Sequence, residues 1–323
     1  MNSTTGCDKL AQGNSTAVSE FIILGFPSSP LGQVLLFLVY FAVYTLTLLG
    51  NSLIVLITLA DPALHIPMYF FIGNLSFLEI CYSSVTLPKM LAISLTGRNT
   101  ISFTGCAAQM YFFLLLGSAE CYLLAAMAYD RYVAICHPLR YMAIMERKSC
   151  TWLVAGSWLS GIPVSFIQTT LVFTSPFCGP NKIDHFFCDV APVLRLVCAD
   201  TSRNEMSNIM VTVIFLATPF TLILASYAHI IATILRMASA GSRHRAFSTC
   251  SSHLLAVTLF YGSGIVVYLH PRSSYVMVND KLLSLFYTVV TPMLNPIIYS
   301  LRNQDVKEAL RRKMAGKRLS PSQ

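Results

Sequence analysis

Two acidic residues lie inside long apolar stretches of the chain. Glu79 is the one charged residue among residues 66–88, and Glu120 is the one charged residue among residues 101–129. An ionised acid at the centre of a bilayer costs about 2.5–3.5 kcal/mol, so acids found there usually face the protein interior and carry function. The pattern favours a functional acid pair over the alternative, in which each carboxyl group is protonated and hydrogen-bonded as part of the packing.

Cysteine is the second residue type with reactive potential, and ten are present. Cys106 begins the apolar stretch that holds Glu120, whereas Cys178, Cys188 and Cys198 lie in one long connecting segment. In an oxidising compartment four thiols can form two disulfides, and spacing alone does not rank the three possible pairings. A metal site that also uses His185 is disfavoured, because the spacing lacks a C-x2-C or H-x3-H clip.

The elements that position these residues follow from composition and run length. The chain of 323 residues is 55% hydrophobic and 11% charged, whereas a soluble domain carries about 25% charged residues. Five further stretches contain no Lys, Arg, Asp or Glu: residues 31–60, 150–181, 206–235, 246–271 and 282–301. With the two acid-bearing stretches, seven reach the roughly 20 residues that span a bilayer as a helix. The sequence predicts an all-α membrane protein, a seven-transmembrane helix bundle.

Basic residues predict the orientation of this bundle. With the C-terminus inside, fourteen Lys and Arg residues fall on the cytoplasmic side and eight on the other, which accounts for all 22. Basic residues near span ends favour the cytoplasm, so we expect a multi-pass plasma-membrane protein with an extracellular N-terminus. The net charge of +8 then reflects topology and contact with membrane lipid rather than binding to nucleic acid. The sequon Asn14-Ser15-Thr16 would place a glycan at Asn14.

The predicted organisation is one helical domain between two tails. We expect an extracellular tail over residues 1–30, the seven-transmembrane domain over residues 31–301 and a cytoplasmic tail over residues 302–323. Residues 303–314 place Val306, Leu310 and Met314 on one helical face and basic residues elsewhere. This pattern predicts a short amphipathic helix on the membrane surface, with a frayed basic tail as the alternative.

Four sequence blocks occur in a fixed order along the chain. They are PMYFF (residues 67–71), MAYDRYVAIC (127–136), AFSTCSSHL (246–254) and PMLNPIIYS (292–300). Together they resemble the odorant receptors of tetrapods, a branch of the rhodopsin-like G-protein-coupled receptors. A lone Asp-Arg-Tyr would be weak evidence, but the ordered set is specific. Arg245 stands where that branch usually has lysine, which preserves the charge.

The resemblance assigns roles to the cysteines and acids. It pairs Cys106 with Cys188 and Cys178 with Cys198. It also implies that both acids face inward and share a sodium ion or a proton, next to two asparagines. This candidate acid site comprises Asn51, Glu79, Glu120 and Asn295.

The resemblance also implies a switch at the cytoplasmic face. Asp130 and Arg131 would form an ion pair that holds the resting state, and the released Arg131 would meet the terminal helix of a G protein. Two states that compete for one guanidinium provide the bistable element that a switch needs. The implied switch residues are Asp130, Arg131, Tyr132, Tyr227, Asn295, Pro296 and Tyr299.

The ligand site implied by the resemblance lies in the extracellular half of the bundle. No charged residue occurs in it, and Phe113 stands where amine receptors of the wider class have an aspartate. An apolar wall with a few hydroxyl groups suits small, neutral, largely apolar molecules, although each residue could instead serve helix packing. Tyr261, Tyr268 and Ser118 are the best candidates for polar contacts. The full set is Phe113, Leu114, Gly117, Ser118, Cys121, Asn208, Val211, Thr212, Phe215, Tyr261, Gly264, Ile265, Tyr268 and Thr288.

The expected function is therefore that of an odorant receptor. Its partners would be a small volatile odorant, a stimulatory G protein of the olfactory type that raises cyclic AMP, and membrane lipid, with no cofactor. A non-olfactory receptor for another small molecule is the first alternative. A transporter or channel would show internal repeats and charged lining residues, which the sequence lacks. We do not expect an enzyme, because the sequence contains no nucleophile–base pair or phosphate-binding loop.

Overall fold

The computed structural model describes residues 18–316, except residues 27–28, 179, 238, 270–276 and 302–303. The described chain contains seven long helices: α1 (Pro30–Ala60), α2 (Pro67–Thr96), α3 (Phe103–Cys136), α4 (Arg147–Phe173), α5 (Ser202–Arg236), α6 (Ala240–Leu269) and α7. α7 comprises Met277–Leu285, a π-helical turn Phe286–Val290 and Thr291–Leu301, and α5 likewise contains a π-helical turn, Val213–Ala217. A shorter helix, α8 (Gln304–Gly316), follows.

The long helices have the length and composition of membrane spans. α1 to α5 and residues Lys281–Tyr299 of α7 are long and apolar enough to cross a bilayer. α6 packs beside them against α3, α5 and α7. Large apolar side chains cover the outside of the bundle, because that surface meets lipid rather than water. On α1 these exposed side chains include Leu31, Leu35, Leu38, Leu46 and Leu49. The predicted seven-transmembrane helix bundle is confirmed.

A small sheet closes one end of the bundle, which we call the sheet end. Its strands are β1 (Glu20–Ile23), β2 (Thr100–Ser102) and β3 (Lys182–Ile183), in the order β2-β1-β3. β1 is antiparallel to β2 and parallel to β3. Phe21 is fully buried beneath the sheet against Phe103 and Phe177. The segment before α1 is thereby joined to α3 and to the connection between α4 and α5.

Both disulfides that the resemblance implies are present at the sheet end. Cys106, in the first turn of α3, is bonded to Cys188 with the Cα atoms 5.5 Å apart. Cys178 is bonded to Cys198 with the Cα atoms 5.7 Å apart. The first bridge fixes the α4–α5 connection across the end of α3, and the second closes a loop within that connection.

α8 lies at the opposite end, which we call the α8 end. Val306 and Ala309 are buried against the bundle, whereas Arg311 and Lys313 are exposed. Arg312 reaches the carboxylate of Asp61, with Nη2 and Oδ2 3.1 Å apart. The backbone N–H of Ala63 and the guanidinium of Arg312 lower the pKa of Asp61 below its usual value. The predicted amphipathic helix is present, although the side chains of Leu310 and Met314 are outside the described residues.

The closest packing between α3 and α4 occurs at a glycine. A Cβ atom built on Gly161 would lie 3.0 Å from the Cα of Leu115 and nearer still to its carbonyl oxygen. The obstacle is backbone, so it cannot rotate away as a side-chain end would. Small residues allow helix backbones to approach closely in membranes, and Gly161 has this role between α3 and α4.

Gly161→Ala is therefore expected to lower the amount of receptor at the cell surface several-fold. Overpacking of this kind typically costs about 1–3 kcal/mol, and here the backbone of two helices must separate. Surface labelling measured by flow cytometry checks this. Gly156→Ala is the matched control on the same helix, because a Cβ atom at Gly156 would meet no heavy atom within 4 Å. Equal surface levels for the two variants would contradict the packing argument.

Candidate functional site

A cavity of about 660 Å³, part of it open to the surroundings, lies between α3, α5 and α6 towards the sheet end. Its walls are apolar and aromatic. Its polar residues are Ser118, Thr212, Asn208, Tyr82 and Tyr287. No Asp, Glu, Lys or Arg lines it among the described residues. This composition is typical of a pocket for small organic molecules. The cavity offers dispersion contacts and single hydrogen bonds, and no counter-ion.

Most of the candidate ligand residues meet in this cavity. Those that line it are Phe113, Leu114, Gly117, Ser118, Cys121, Asn208, Val211, Thr212, Phe215 and Gly264. Ile265 and Tyr268 fall on α6, but their side chains are outside the described residues. The structure thus brings the α3 and α5 candidates together on facing walls.

Tyr261 and Thr288 do not line this cavity. The Tyr261 hydroxyl donates to the carbonyl of Cys121 at 3.2 Å, and its ring packs on Phe220. Thr288 is fully buried, and its hydroxyl donates to the carbonyl of Ser284 at 2.6 Å. Both hydroxyl groups are therefore used within the bundle, so the expectation that Tyr261 supplies a polar ligand contact is corrected.

Four cavity residues are absent from the candidate set: Tyr82, Leu216, Phe260 and Tyr287. Leu216 and Tyr287 stand in the π-helical turns of α5 and α7. A π turn inserts one extra residue and shifts the face that follows it, which regular helical spacing does not anticipate. Tyr82 packs face to face on Phe113 with ring centroids 5.2 Å apart, so α2 contributes to the cavity, although no ligand residue was expected on α2.

The connection between α4 and α5 covers the sheet end of the cavity. Phe187 packs on Phe113 with ring centroids 4.5 Å apart. The N–H of Cys188 donates to the side-chain carbonyl of Gln109 at 3.0 Å, and Lys281 of α7 pairs with Asp184 at 2.5 Å. These contacts join the connection to α3 and α7, so it forms a cover with several fixed points.

Two titratable groups in this cover are shifted towards neutrality. Burial lowers the pKa of His185 to about 3, with Lys281 as a second cause, so its imidazole is neutral at physiological pH. Burial also raises the pKa of Asp189 to about 6, opposed by the N–H of Val190. His185 therefore adds no positive charge above the cavity, whereas Asp189 loses its negative charge only below a pH of about 6.

The two intramembrane acids lie together beneath the cavity. The side-chain amide of Asn295 donates to the carboxyl group of Glu79, and the Glu120 carboxyl group lies next to that of Glu79. Asn51 donates to the carbonyls of Thr47 and Pro292 at 2.9 and 3.0 Å. All four candidate residues are buried. Glu79, Glu120 and Asn295 therefore form one polar cluster, and Asn51 bonds to α7 at Pro292, three residues before Asn295.

This cluster has an excess of hydrogen-bond acceptors. Five of its buried oxygen atoms have no hydrogen-bond partner among the described residues: Asn51 Oδ1, Glu79 Oε2, Glu120 Oε1, Glu120 Oε2 and Asn295 Oδ1. Buried acceptors without donors are costly. A bound cation, or protons on the carboxyl groups, would satisfy them, and oxygen donors of this kind fit a hard cation such as sodium.

At the α8 end, Asp130 and Arg131 do not form the expected ion pair. Asp130 accepts a hydrogen bond from the Tyr141 hydroxyl at 2.9 Å. Adjacent side chains on a helix point in directions about 100° apart and do not face each other, which explains the difference. Arg131 is buried, with Nε unpaired among the described residues. Tyr132 turns away from it and contacts His137 at 3.0 Å.

The same arrangement of sequence features is found in known proteins. The model of the olfactory receptor family matches residues 40–317. Olfactory receptor 10A7 of Homo sapiens is 56% identical over 304 residues, which cover 94% of this chain and 96% of the relative. Olfactory receptor 10A5 of Homo sapiens is 58% identical over 94% of this chain and 96% of the relative. Olfactory receptor 10A2 of Homo sapiens is 59% identical over 87% of this chain and 92% of the relative. The chain belongs to the olfactory receptor family.

As an olfactory receptor, the protein is a multi-pass receptor of the plasma membrane and a member of the G-protein-coupled class, and it is not an enzyme. Six helices of the described residues are long and apolar enough to span a membrane. The candidate glycosylation residue, Asn14, is outside the described residues.

One buried residue of the receptor was missed by the sequence analysis. His253 on α6 contacts the Tyr227 hydroxyl of α5 through Nδ1 at 2.7 Å and the Leu124 carbonyl of α3 through Nε2 at 3.1 Å. With Nε2 donating to the carbonyl, Nδ1 accepts from Tyr227. A histidine within the apolar stretch 246–271 is the signal that could have identified it. It joins three helices beside Arg131.

The remaining switch candidates surround the same point. Arg131 is close enough to interact electrostatically with Tyr227, His253 and Tyr299. The Tyr299 hydroxyl is buried and has no hydrogen-bond partner among the described residues. Pro296 approaches α1, since a Cβ atom on Gly50 would lie 3.0 Å from its Cβ atom. The geometry therefore gathers one guanidinium and two tyrosines at the meeting point of α3, α5, α6 and α7.

Proposed function

We propose that this receptor binds small, neutral, largely apolar odorants in the cavity between α3, α5 and α6. The observation that carries the proposal is the uncharged lining of that cavity. A cationic amine or an anion would lose its hydration there without gaining a counter-ion. A neutral molecule loses far less, and burial of its apolar surface favours binding.

The sheet end faces the extracellular side in this proposal, and the α8 end faces the cytoplasm. The excess of Lys and Arg at the α8 end supports this orientation. Both disulfides lie at the sheet end, where the extracellular compartment would keep them oxidised. Residues 1–30 would then form an extracellular tail glycosylated at Asn14, and residues 302–323 a cytoplasmic tail around the domain of residues 31–301.

The proposed output is activation of a stimulatory G protein of the olfactory type, which raises cyclic AMP. The G protein would bind at the α8 end, where Arg131 has no hydrogen bond with a described residue and Tyr227 and Tyr299 stand beside it. Asp130, Tyr132, Asn295 and Pro296 complete the proposed switch. The Tyr227 hydroxyl is bonded to His253 in this structure, so it would change partners if it met Arg131 in the active state.

The acid cluster is proposed to hold a sodium ion or a proton. Asn51, Glu79, Glu120 and Asn295 would supply the oxygen ligands, and the unpaired acceptors among them support this assignment. The positive charge of the bound cation would offset the repulsion between the two neighbouring carboxylates in this buried site.

The ligand proposal is tested by filling the cavity. Gly117 lines it, and a Cβ atom there would make only ordinary contact with Tyr82 at 3.8 Å. Gly117→Leu is expected to raise the half-maximal concentration of neutral agonists at least about tenfold, because the added volume displaces ligand at a cost of about 1–3 kcal/mol. Cyclic AMP responses to a panel of neutral volatile molecules provide the measurement.

Gly262→Leu is the control, because Gly262 is exposed on α6 and a Cβ atom there would meet nothing within 4 Å. It should respond like the unmodified receptor. An unchanged potency in Gly117→Leu at normal surface expression, or responses confined to amines and acids, would contradict the proposed ligand class.

A further inference from the structure

A second cavity lies at the sheet end between β1, α1, α2 and the cover. It encloses about 600 Å³, part of it open to the surroundings. Leu36 and Tyr40 of α1, Met90 and Ile93 of α2, and Phe186 of the cover form its walls. No residue that lines the odorant cavity lines this one among the described residues. It is a separate site, and the function proposed above does not use it.

Three neutral polar side chains in this cavity lack a protein partner. Gln33, Tyr40 and Asn99 all line it, and none of their side chains makes a hydrogen bond with a described residue. Tyr40 is 6% exposed, and it lines the cavity without a protein partner for its hydroxyl group among the described residues. Side chains on a helix lean towards its N-terminus, which for α1 is the sheet end, so the phenol points up into the cavity. A hydroxyl group that faces a cavity without a protein partner is free to donate to a ligand and to accept from it.

The lining also defines the chemistry of that ligand. No Asp, Glu, Lys or Arg lines the cavity among the described residues. Lys281 reaches the carbonyl of the lining residue Gly25 at 3.4 Å, but it is paired with Asp184. A charged headgroup would therefore find no counter-ion in the lining, whereas a hydroxyl group can donate to and accept from the phenol and the two amides.

We propose that this cavity binds a neutral amphiphile that carries a hydroxyl group. The hydroxyl group bonds to Tyr40, and the hydrocarbon part packs against Leu36, Met90 and Phe186. Such a molecule reaches the cavity either from the membrane, as a sterol or long-chain alcohol, or from water, as a small alcohol. Exposed Leu24 and Gln33 stand in the lining where the cavity opens.

The test uses the full-length receptor in phosphatidylcholine nanodiscs and 1-octanol that carries a diazirine group. After irradiation, mass spectrometry is expected to find adducts on residues 33–40 and 90–94, apart from any adducts on residues 113–121 of the odorant cavity. Tyr40→Phe should reduce the adducts on α1 and α2 about fivefold at low probe concentration, as the loss of one neutral hydrogen bond predicts. Failure of the odorant proposal would remove the adducts on residues 113–121 alone.

The matched control is Tyr44→Phe, one turn further along α1, because the Tyr44 hydroxyl bonds to Ser84 at 3.0 Å and does not line the cavity. It should leave labelling unchanged. If Tyr40→Phe does not fold, Ser94→Leu, which fills the cavity, replaces it. Competition by cholesterol in the disc identifies a membrane alcohol, and competition by aqueous 1-octanol alone identifies a small alcohol. Missing adducts on residues 33–40 and 90–94, equal labelling of Tyr40→Phe, or stronger labelling by a diazirine octanoate would overturn the proposal.

Discussion

Arg131→Ala is expected to abolish odorant-driven cyclic AMP production while the receptor still reaches the cell surface. Arg131 is 7% exposed at the α8 end and makes no hydrogen bond or ion pair with any described residue. Its neighbour Asp130 is held by Tyr141 instead. The substitution to alanine therefore removes no hydrogen bond or ion pair from the described fold. It does remove the positive charge that is proposed to meet the G protein.

Two measurements on the same cells check this expectation: cyclic AMP against odorant concentration, and surface receptor by flow cytometry. Arg98→Ala is the control, because Arg98 is an exposed arginine at the sheet end. It should keep the full response. A dose-dependent cyclic AMP response in Arg131→Ala, or the same loss in Arg98→Ala, would show that the guanidinium at the α8 end is not the switch.

The helices of this fold could be predicted from the sequence because lipid imposes a simple rule. Each uncharged stretch long enough to span the bilayer became a helix, and the fifth stretch, residues 206–235, lies within α5 (Ser202–Arg236). The sheet could not be predicted in this way. β3 is only two residues long, and β1 pairs with partners some 80 and 160 positions distant, so no local alternation marks these strands.

The site was predictable where helices are regular. Phe113, Gly117 and Cys121 follow α-helical spacing, and all three line the cavity. Prediction failed where a shift of one residue along a helix decides which face a side chain occupies. Thr288 was expected to face the ligand, but it lies in the π-helical turn of α7 and Tyr287 lines the cavity instead. The expected Asp130–Arg131 pair failed for a related reason, because adjacent helical residues diverge.

The acid cluster yields the second prediction with a large effect. Glu79 and Glu120 are buried side by side, and three of their four carboxyl oxygens have no hydrogen-bond partner among the described residues. Two ionised carboxylates in such a place would repel each other and lack hydration. Sodium is therefore expected to stabilise the receptor, by about 1.4 kcal/mol when its concentration is about ten times its Kd. That corresponds to a rise in Tm of roughly 3 °C.

The measurement compares the Tm of the purified receptor in sodium chloride and in choline chloride at equal ionic strength. Glu120→Gln is expected to lose the sodium-dependent rise, because the amide keeps the shape of the carboxyl group and removes its charge. Glu146→Gln, an exposed acid between Ile144 and α4, is the control and should keep the rise. If the unmodified receptor and Glu120→Gln are equally insensitive to sodium, the cluster does not bind that ion. The two carboxyl groups must then be accommodated by protons, and Glu120→Gln should in that case be tolerated with an unchanged Tm, since an amide replaces a group that was already neutral.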